Sequence, residues 1–397
     1  MISIDSYGTL VAASMVLLVG RKLVARSRML QVYSIPEPVI GGLMVALGLY
    51  ALQAGTGVQV RFDSTLSTPL MLGFFASIGL NADLARLREG GRPLMKLLFV
   101  VVAFLITQNF FGILLASLLN LQPVLGLLAG SITLSGGHGT GVAWGAVFEE
   151  KYHVGSATEL ALACATFGLV LGGVLGGPVA RFLMNRLPKS TATALNSEPG
   201  PFEQPASVRL ITAPALIETL ALFSVCLLAG IQISSLLRGS ILELPPFVCV
   251  LFSGVILRNV LSALGYYDVF ERCVSVLGNV SLALFLAMAL MSLRLWELSS
   301  LALPIMALLV GQTVVTAMFA IFVTFRVMGC DHDAAVIAAG HCGFGLGATP
   351  TAIANMQAIT DRFGPSPLAF LVVPMVGAFF IDLANALVIK LFLAFVA

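Results

Sequence analysis

Ten apolar stretches, most of them near the roughly 20 residues a helix needs to cross a bilayer, run through this chain and leave the charges mainly in the gaps. They lie at Tyr7–Val24, Pro38–Leu52, Ser67–Leu84, Leu94–Leu119, Thr158–Leu183, Leu210–Leu236, Leu244–Leu264, Val274–Leu295, Leu298–Phe325 and Pro367–Phe395. Only 10% of the 397 residues are charged, against roughly 25% in a soluble protein, so the chain cannot cover a water-facing surface. The expected fold is an all-α integral membrane protein with ten transmembrane helices. The first apolar run lacks a basic start and a small-residue cleavage site, and reads as a retained helix. The net charge of +2 is spread over short loops, which offers nucleic acid no basic patch. The six cysteines show no metal-ligand or redox spacing and read as small buried apolar residues.

Two stretches break the apolar pattern where continuous helix would be expected: Ser131–Gly145 (SITLSGGHGTGVAWG) and Ala339–Asn355 (AGHCGFGLGATPTAIAN). An unpaired backbone group in hydrocarbon costs several kcal/mol, so irregular backbone persists there only when protein covers it or it lines a wet cavity. Glycine for close helix packing alone would recur at four-residue spacing, whereas here it falls at nearly every second position with His and Thr between. The apolar run around each stretch is too short to cross twice as full helices. Each therefore reads as a re-entrant hairpin, near 121–145 and near 333–356.

The charges support this division. With the N-terminus outside, sixteen of the 21 Lys and Arg fall on the cytoplasmic side, among them Arg86, Arg88, Lys189, Arg209 and Arg258. Arg61, Lys151, Arg238, Arg294 and Lys390 fall outside. The two halves also echo one another, Tyr33–Leu52 against Leu242–Leu261 and Phe75–Leu80 against Leu286–Met291. Five crossings per half is odd, so the second half lies inverted. The expected organisation is an N-terminal repeat at 1–184, a polar cytoplasmic connector at 185–207, and a C-terminal inverted repeat at 208–397. Both termini are then periplasmic, and the hairpin tips meet near the midplane from opposite faces, the geometry of a secondary transporter.

A broken helix presents unpaired N–H groups and the positive end of its dipole, a setting that suits carboxylates and phosphates. The first tip offers Ser135, Gly136, Gly137, His138, Gly139, Thr140 and Gly141. The second offers Gly343, Phe344, Gly345, Leu346 and Gly347, then Thr349, Pro350 and Thr351, with Pro350 suited to begin a half-helix. Asp382 lies deep in the last apolar run with Asn385 one turn on, a position that suggests a cation site or proton relay, the alternative being a packing hydrogen bond. Gln108, Asn109 and Gln312 either line the site or join helices. Glu218 reads as structural, and His153 and His332 as loop residues. The histidines show no metal-ligand spacing.

At these hairpins the sequence resembles the bacterial sodium/glutamate symporter family. The likeness is carried by GRKLV at Gly20–Val24, IPEPV at Ile35–Val39, AGSITLSGGHGTG at Ala129–Gly141 and CATFGLVLGG at Cys164–Gly173. It continues through ERCVSVLGNVSLALFLAMALM at Glu271–Met291, AAGHCGFGLGATPTAIANMQAIT at Ala338–Thr360 and VVPMVGAFFID at Val372–Asp382. The resemblance implies a homodimer in the bacterial inner membrane, in contact with lipid, that takes up L-glutamate with sodium by an elevator movement. It assigns the translocation site to Ser135–Gly141 and Gly343–Gly347. Sodium is the coupling ion, with Thr351, Asn355, Asp382 and Asn385 as its expected ligands, and no other cofactor or metal is implied. Rival readings are a symporter for aspartate or citrate, one driven by protons, a passive channel, and an intramembrane serine protease with Ser135 as nucleophile and His138 or His341 as base. The protease reading lacks the flanking G-x-S-G pattern, so no enzyme activity is expected.

Overall fold

The computed structural model describes residues 2–32, 35–85, 91–187, 210–240, 243–265, 269–292 and 302–396. Most of the connector, the basic residues Arg86, Arg88, Lys189, Arg209 and Arg294, and the facing ends of the eighth and ninth expected crossings lie outside these residues. So do Tyr33 and Leu242, which open the two echoing segments.

The described residues are helical, with one departure from the all-α expectation: Ile2–Ile4 pairs in parallel with Val60–Phe62. These short β-prone runs flank the first two long helices, and the pairing is closed by Asp63, whose N–H donates to the Ile4 carbonyl and lies 3.2 Å from Thr9 Oγ1.

The long helices form two bundles. The first contains α1 (Ser6–Arg26), α2 (Glu37–Thr56), α3 (Ser67–Asn81) and, from the second half of the chain, three further helices. Before those come α4 (Gly91–Leu118), α5 (Pro123–Ile132), α6 (Gly137–Tyr152) and α7 (Ala157–Met184), which belong to the second bundle. The helices completing the first are α8 (Ala213–Leu237), α9 (Pro246–Leu264) and α10 (Glu271–Met291). Within it, α1 packs on α2 as α8 packs on α9, α2 lies against α10 as α3 lies against α9, and α3 and α10 face each other at the centre. Where α3 crosses α9, a methyl on Gly79 or on Gly254 would collide with the backbone of the opposite helix, so only small residues permit this approach.

The second bundle adds α11 (Leu303–Met328), α12 (His332–Leu346), α13 (Thr349–Phe363), α14 (Pro367–Met375) and α15 (Ile381–Val396). Here α7 is the spine, contacting α6, α12 and α13, while α4 contacts α5, α11 and α15. Three π-helical turns, Leu128–Ile132, Ala320–Thr324 and Val376–Phe380, all fall in this bundle. The last expected crossing is not straight. It bends by 47° between Ala378 and Ile381, at the π-helical turn Val376–Phe380.

Seven described helices are long and apolar enough to cross a membrane, or eight with the bent α14–α15 pair taken as one span. The shortfall from ten lies in the third expected crossing, where α3 stops at Asn81, and in the second, whose apolar part ends at Gln53. Fifteen residues reach about 22 Å, less than a hydrocarbon core of about 30 Å.

Candidate functional site

Both glycine-rich stretches adopt a helix–break–helix form, as the sequence led us to expect. The first arm, α5, ends in a π turn containing the non-helical Gly130, and the chain turns through residues 133–136 before α6 starts at Gly137, whose φ of +71° suits glycine. The second arm, α12, ends at Leu346; Gly347 and Ala348 are non-helical, and Pro350 sits in the first turn of α13. The arms run further than expected, α6 to Tyr152 and α13 to Phe363. Neither α6 nor α13 has a side-chain cap at its start, so both positive helix ends open at the tips.

The two tips touch. Ser135 Oγ lies 2.8 Å from Gln108 Oε1 and 3.2 Å from the Gly345 carbonyl oxygen, and Gln108 Nε2 donates to that same oxygen at 3.1 Å. Gly137 faces Gly347, whose carbonyl oxygen would stand 3.7 Å from a methyl added there. The remaining residues of the tips pack tightly: Gly136 against Thr140, Gly141 against Thr133 and Ala161, Gly343 against Ala352, and Gly345 against Phe104 and His341. Leu346 is fully buried, its carbonyl against Gly168 of α7. Gly139 meets the first bundle, its Cα covered by Phe74 of α3 and Leu282 of α10.

The two histidines are held by hydroxyls that sequence reading did not single out. His138 Nε2 lies 3.0 Å from Thr166 Oγ1. His341 Nδ1 lies 2.8 Å from Thr324 Oγ1 inside the π turn of α11, and the ring is boxed by Phe104 and Phe319 and stacked on Phe344 at 5.0 Å. Of the other two histidines, His153 ends α6 with φ of +54°, and His332 opens α12 instead of lying in a loop.

The four expected sodium ligands do not converge: Asn355 and Asn385 bond to different carbonyls, and Thr351 Oγ1 is buried without a hydrogen-bond partner. Asn355 Nδ2 donates to the Gly172 carbonyl at 2.9 Å and reaches that of Ala339 at 3.4 Å, while Thr351 directs its methyl toward Gly173. Asn385 Nδ2 donates instead to the Ser131 carbonyl at 2.9 Å, with the half-buried Asp382 one turn before it. Thr349 Oγ1 faces Gly377 in the bend before α15. Of the three polar residues expected either to line the site or to join helices, Gln108 touches both tips, Asn109 Oδ1 accepts from the Ser131 N–H at 3.1 Å in the arm before the first tip, and Gln312 Nε2 joins α11 to α4 by donating to the Gln108 carbonyl at 2.8 Å. Glu218 sits on α8 in the first bundle, away from the tips.

A cavity of about 890 Å³ opens beside the first tip, between the bundles. Val142 of α6 and Phe285 of α10 form its inner wall, and Arg61, Asp63, Thr68 and Glu149 are among its polar lining. Nearby, Lys151 at the end of α6 pairs at 2.8 Å with Glu243, which precedes α9 of the first bundle. Their hydrogen bond raises the Lys151 ammonium above its ordinary pKa and lowers the Glu243 carboxyl. Glu149 accepts from the Thr158 N–H at the start of α7, which ties the end of α6 to the spine.

The arrangement offers neutral donors, two helix N-termini and close backbone approach, a chemistry that suits a small anion enclosed on all sides. Comparison with known proteins points the same way. The family described as "Sodium/glutamate symporter" matches residues 2–365. The sodium/glutamate symporter of Escherichia coli (strain K12) is 63% identical over 394 residues, covering 99% of this chain and 98% of that protein. The one from Haemophilus influenzae (strain ATCC 51907 / DSM 11121 / KW20 / Rd) is 53% identical over 396 residues, with 99% and 98% covered.

Proposed function

Because the chain belongs to the sodium/glutamate symporter family, we propose that it carries L-glutamate into the cell together with sodium, by the meeting of its two hairpin tips. The family is one of transporters and not of enzymes. The observation that carries the reading is the join of Ser135 and Gln108 to the Gly345 carbonyl, which sets the uncapped starts of α6 and α13 side by side. Two convergent helix dipoles favour carboxylates, and Gly136, Gly137, Gly139, Gly141, Gly343 and Gly347 let the ligand approach the backbone. The Ser135–Gly141 and Gly343–Thr349 segments form the substrate site in this reading.

The chain spans the membrane ten times, in two inverted five-helix repeats divided at the cytoplasmic connector, with α5–α6 and α12–α13 re-entrant. The short α2 and α3 complete the ten, sheltered by α9 and α10. Reciprocal packing supports the inversion: α1 on α2 matches α8 on α9, and α2 on α10 matches α3 on α9. The excess of Lys and Arg places the connector inside and both termini in the periplasm. The second bundle, which holds both tips, moves as an elevator against the first, which supplies the contacts of a homodimer in the bacterial inner membrane.

Sodium gives the cycle its direction. Glutamate enters with a charge of −1 against an interior negative potential, opposed by about 2.3 kcal/mol per 100 mV, and two or more sodium ions reverse that sign. Uptake of labelled glutamate by proteoliposomes tests the reading. It should require an inward sodium gradient and collapse when choline replaces sodium, and unlabelled aspartate or citrate should compete weakly. Undiminished uptake in choline, or stronger competition by another carboxylate, would transfer the assignment to a rival symporter.

A further inference from the structure

The break at Gly130 gathers buried polar atoms that the tip contacts leave unused. Asn109 Nδ2, Ser131 Oγ, Gln312 Oε1 and Asn385 Oδ1 each lack a hydrogen-bond partner, and all four residues are at most 1% exposed. The partnered ends of their side chains meet at the break. A methyl on Gly130 would stand 3.1 Å from Asn109 Oδ1 and 3.6 Å from Gln312 Nε2, while Asn385 Nδ2 holds the carbonyl of the next residue, Ser131.

The orientation of these groups is fixed by what their other ends do. Gln312 and Asn385 each spend their NH₂ on a backbone carbonyl, which leaves their carbonyl oxygens as the free ends. Hydroxyls elsewhere in these helices return to the carbonyl four residues back, as Thr107, Thr166 and Thr316 do. Ser131 makes no such bond. Buried polar atoms are paired in the great majority of cases, so several orphans around one backbone break need an occupant.

The geometry points to a cation site at the Gly130–Ser131 break, in which Ser131 Oγ, Gln312 Oε1 and Asn385 Oδ1 ligate one sodium ion. Three neutral oxygens from α5, α11 and α15 make a hard-ligand set without a carboxylate, at the kind of unwound segment where transporters hold sodium. The donor Asn109 Nδ2 cannot ligate a cation; it matches a water in the ion's shell. This inference rests on the symporter reading and places the ion apart from Asn355, which donates to the Gly172 carbonyl, and from Thr351, whose buried Oγ1 also lacks a partner but stands alone beside Gly173.

Thermal unfolding of the purified protein without glutamate, titrated with sodium in a potassium background, tests it. Sodium should stabilise the native chain. Ser131→Ala and Gln312→Met should each raise the sodium concentration for half-maximal stabilisation at least fivefold, while Thr351→Val, at the unpartnered hydroxyl outside the site, should not. Sodium curves for folded, monodisperse Ser131→Ala and Gln312→Met that overlay the native curve would show that the break holds only water. If a variant fails to fold, the Thr351→Val curve decides: a weakening of fivefold or more puts the ion at Thr351 and overturns the site. A native protein with sodium-driven uptake but unchanged variant curves sinks this site alone, whereas sodium-independent uptake sinks the symporter reading.

Discussion

Ser135 Oγ stands 3.2 Å from the carbonyl oxygen of Gly345, a contact across 210 residues that joins the two broken helices at their tips. Gln108 completes the triangle, placing its oxygen toward Ser135 and its nitrogen toward Gly345. Because both residues serve one carbonyl, removing either leaves the other partly satisfied. Ser135→Ala should lower the initial rate of sodium-driven uptake by about fivefold, which corresponds to the ~1 kcal/mol of a single buried hydrogen bond. Gln108→Leu should cost more, since it strands two groups. The double variant should fall short of the product of the two effects, by a coupling of about 0.5–3 kcal/mol in the double-mutant cycle. Strict additivity would mean that the triangle does not act as a unit.

Gly139 is where the start of α6, in the second bundle, meets α3 and α10 of the first. A methyl there would strike the Phe74 ring and press on Leu282. Gly139→Ala should slow uptake by about tenfold or more, because overpacking a tight contact costs roughly 1–3 kcal/mol. Phe74→Leu should restore much of the rate in the double variant, since it removes the atoms that clash. An unaffected rate in Gly139→Ala would mean that this surface is looser than the packing indicates.

Much of this architecture was legible in the sequence because hydrocarbon allows so few solutions. Apolar length located the long helices, and glycine in apolar surroundings located both breaks within a few residues. Pattern failed where tertiary packing decides. Helix α3 stops at Asn81, whose Nδ2 bonds to Ser275 on α10, a partner 194 residues away that no local signal marks. Periodicity does not tell the tip contact of Gln108 from the helix-joining bond of Gln312, because it gives a polar residue's depth but not which carbonyl it faces. Thr166 and Thr324 were missed for a related reason: a threonine in an apolar helix usually bonds its own backbone, and only the fold brings a histidine to it. The short Ile2–Ile4 pairing with Val60–Phe62 is too brief to register as strand in a window tuned for helices.

Arg61 is the cation on the wall of the cavity that leads from Asp63 to Val142 and Phe285. Asp63, Glu149 and Glu159 line the same cavity, so Arg61 is the positive charge set against three carboxylates, and its removal leaves an approaching anion facing a more negative wall. Arg61→Gln should increase the glutamate KM severalfold with little change in kcat, and the gap should narrow as choline chloride is added, since the Debye length shrinks from about 10 Å at 0.1 M to 3 Å at 1 M. A fall in kcat without a change in KM would place Arg61 in the folding of the strand pairing and not in the approach of substrate.

The Lys151–Glu243 pair bridges α6 of the second bundle and the segment before α9 of the first, so the elevator stroke proposed above would have to break it. Both side chains are part-exposed, and the pair is screened by salt. Glu243 is lowered, so its contribution is present above its ordinary carboxylate pKa and is lost as pH falls through the lowered value. Lys151 is raised, so its contribution is present below the ordinary ammonium range and is lost only as pH rises through the raised value. Between those limits the latch is closed and pH-insensitive. Lys151→Glu should therefore shift transport rate across the neutral range, because two carboxylates then face each other. Glu243→Lys should do likewise, and the swapped double variant should recover the native rate by restoring an opposite pair. Both single effects should fade in 0.5 M choline chloride. Persistence of the defect in the swapped chain would show that the individual side chains matter at these positions and not the charge between the bundles.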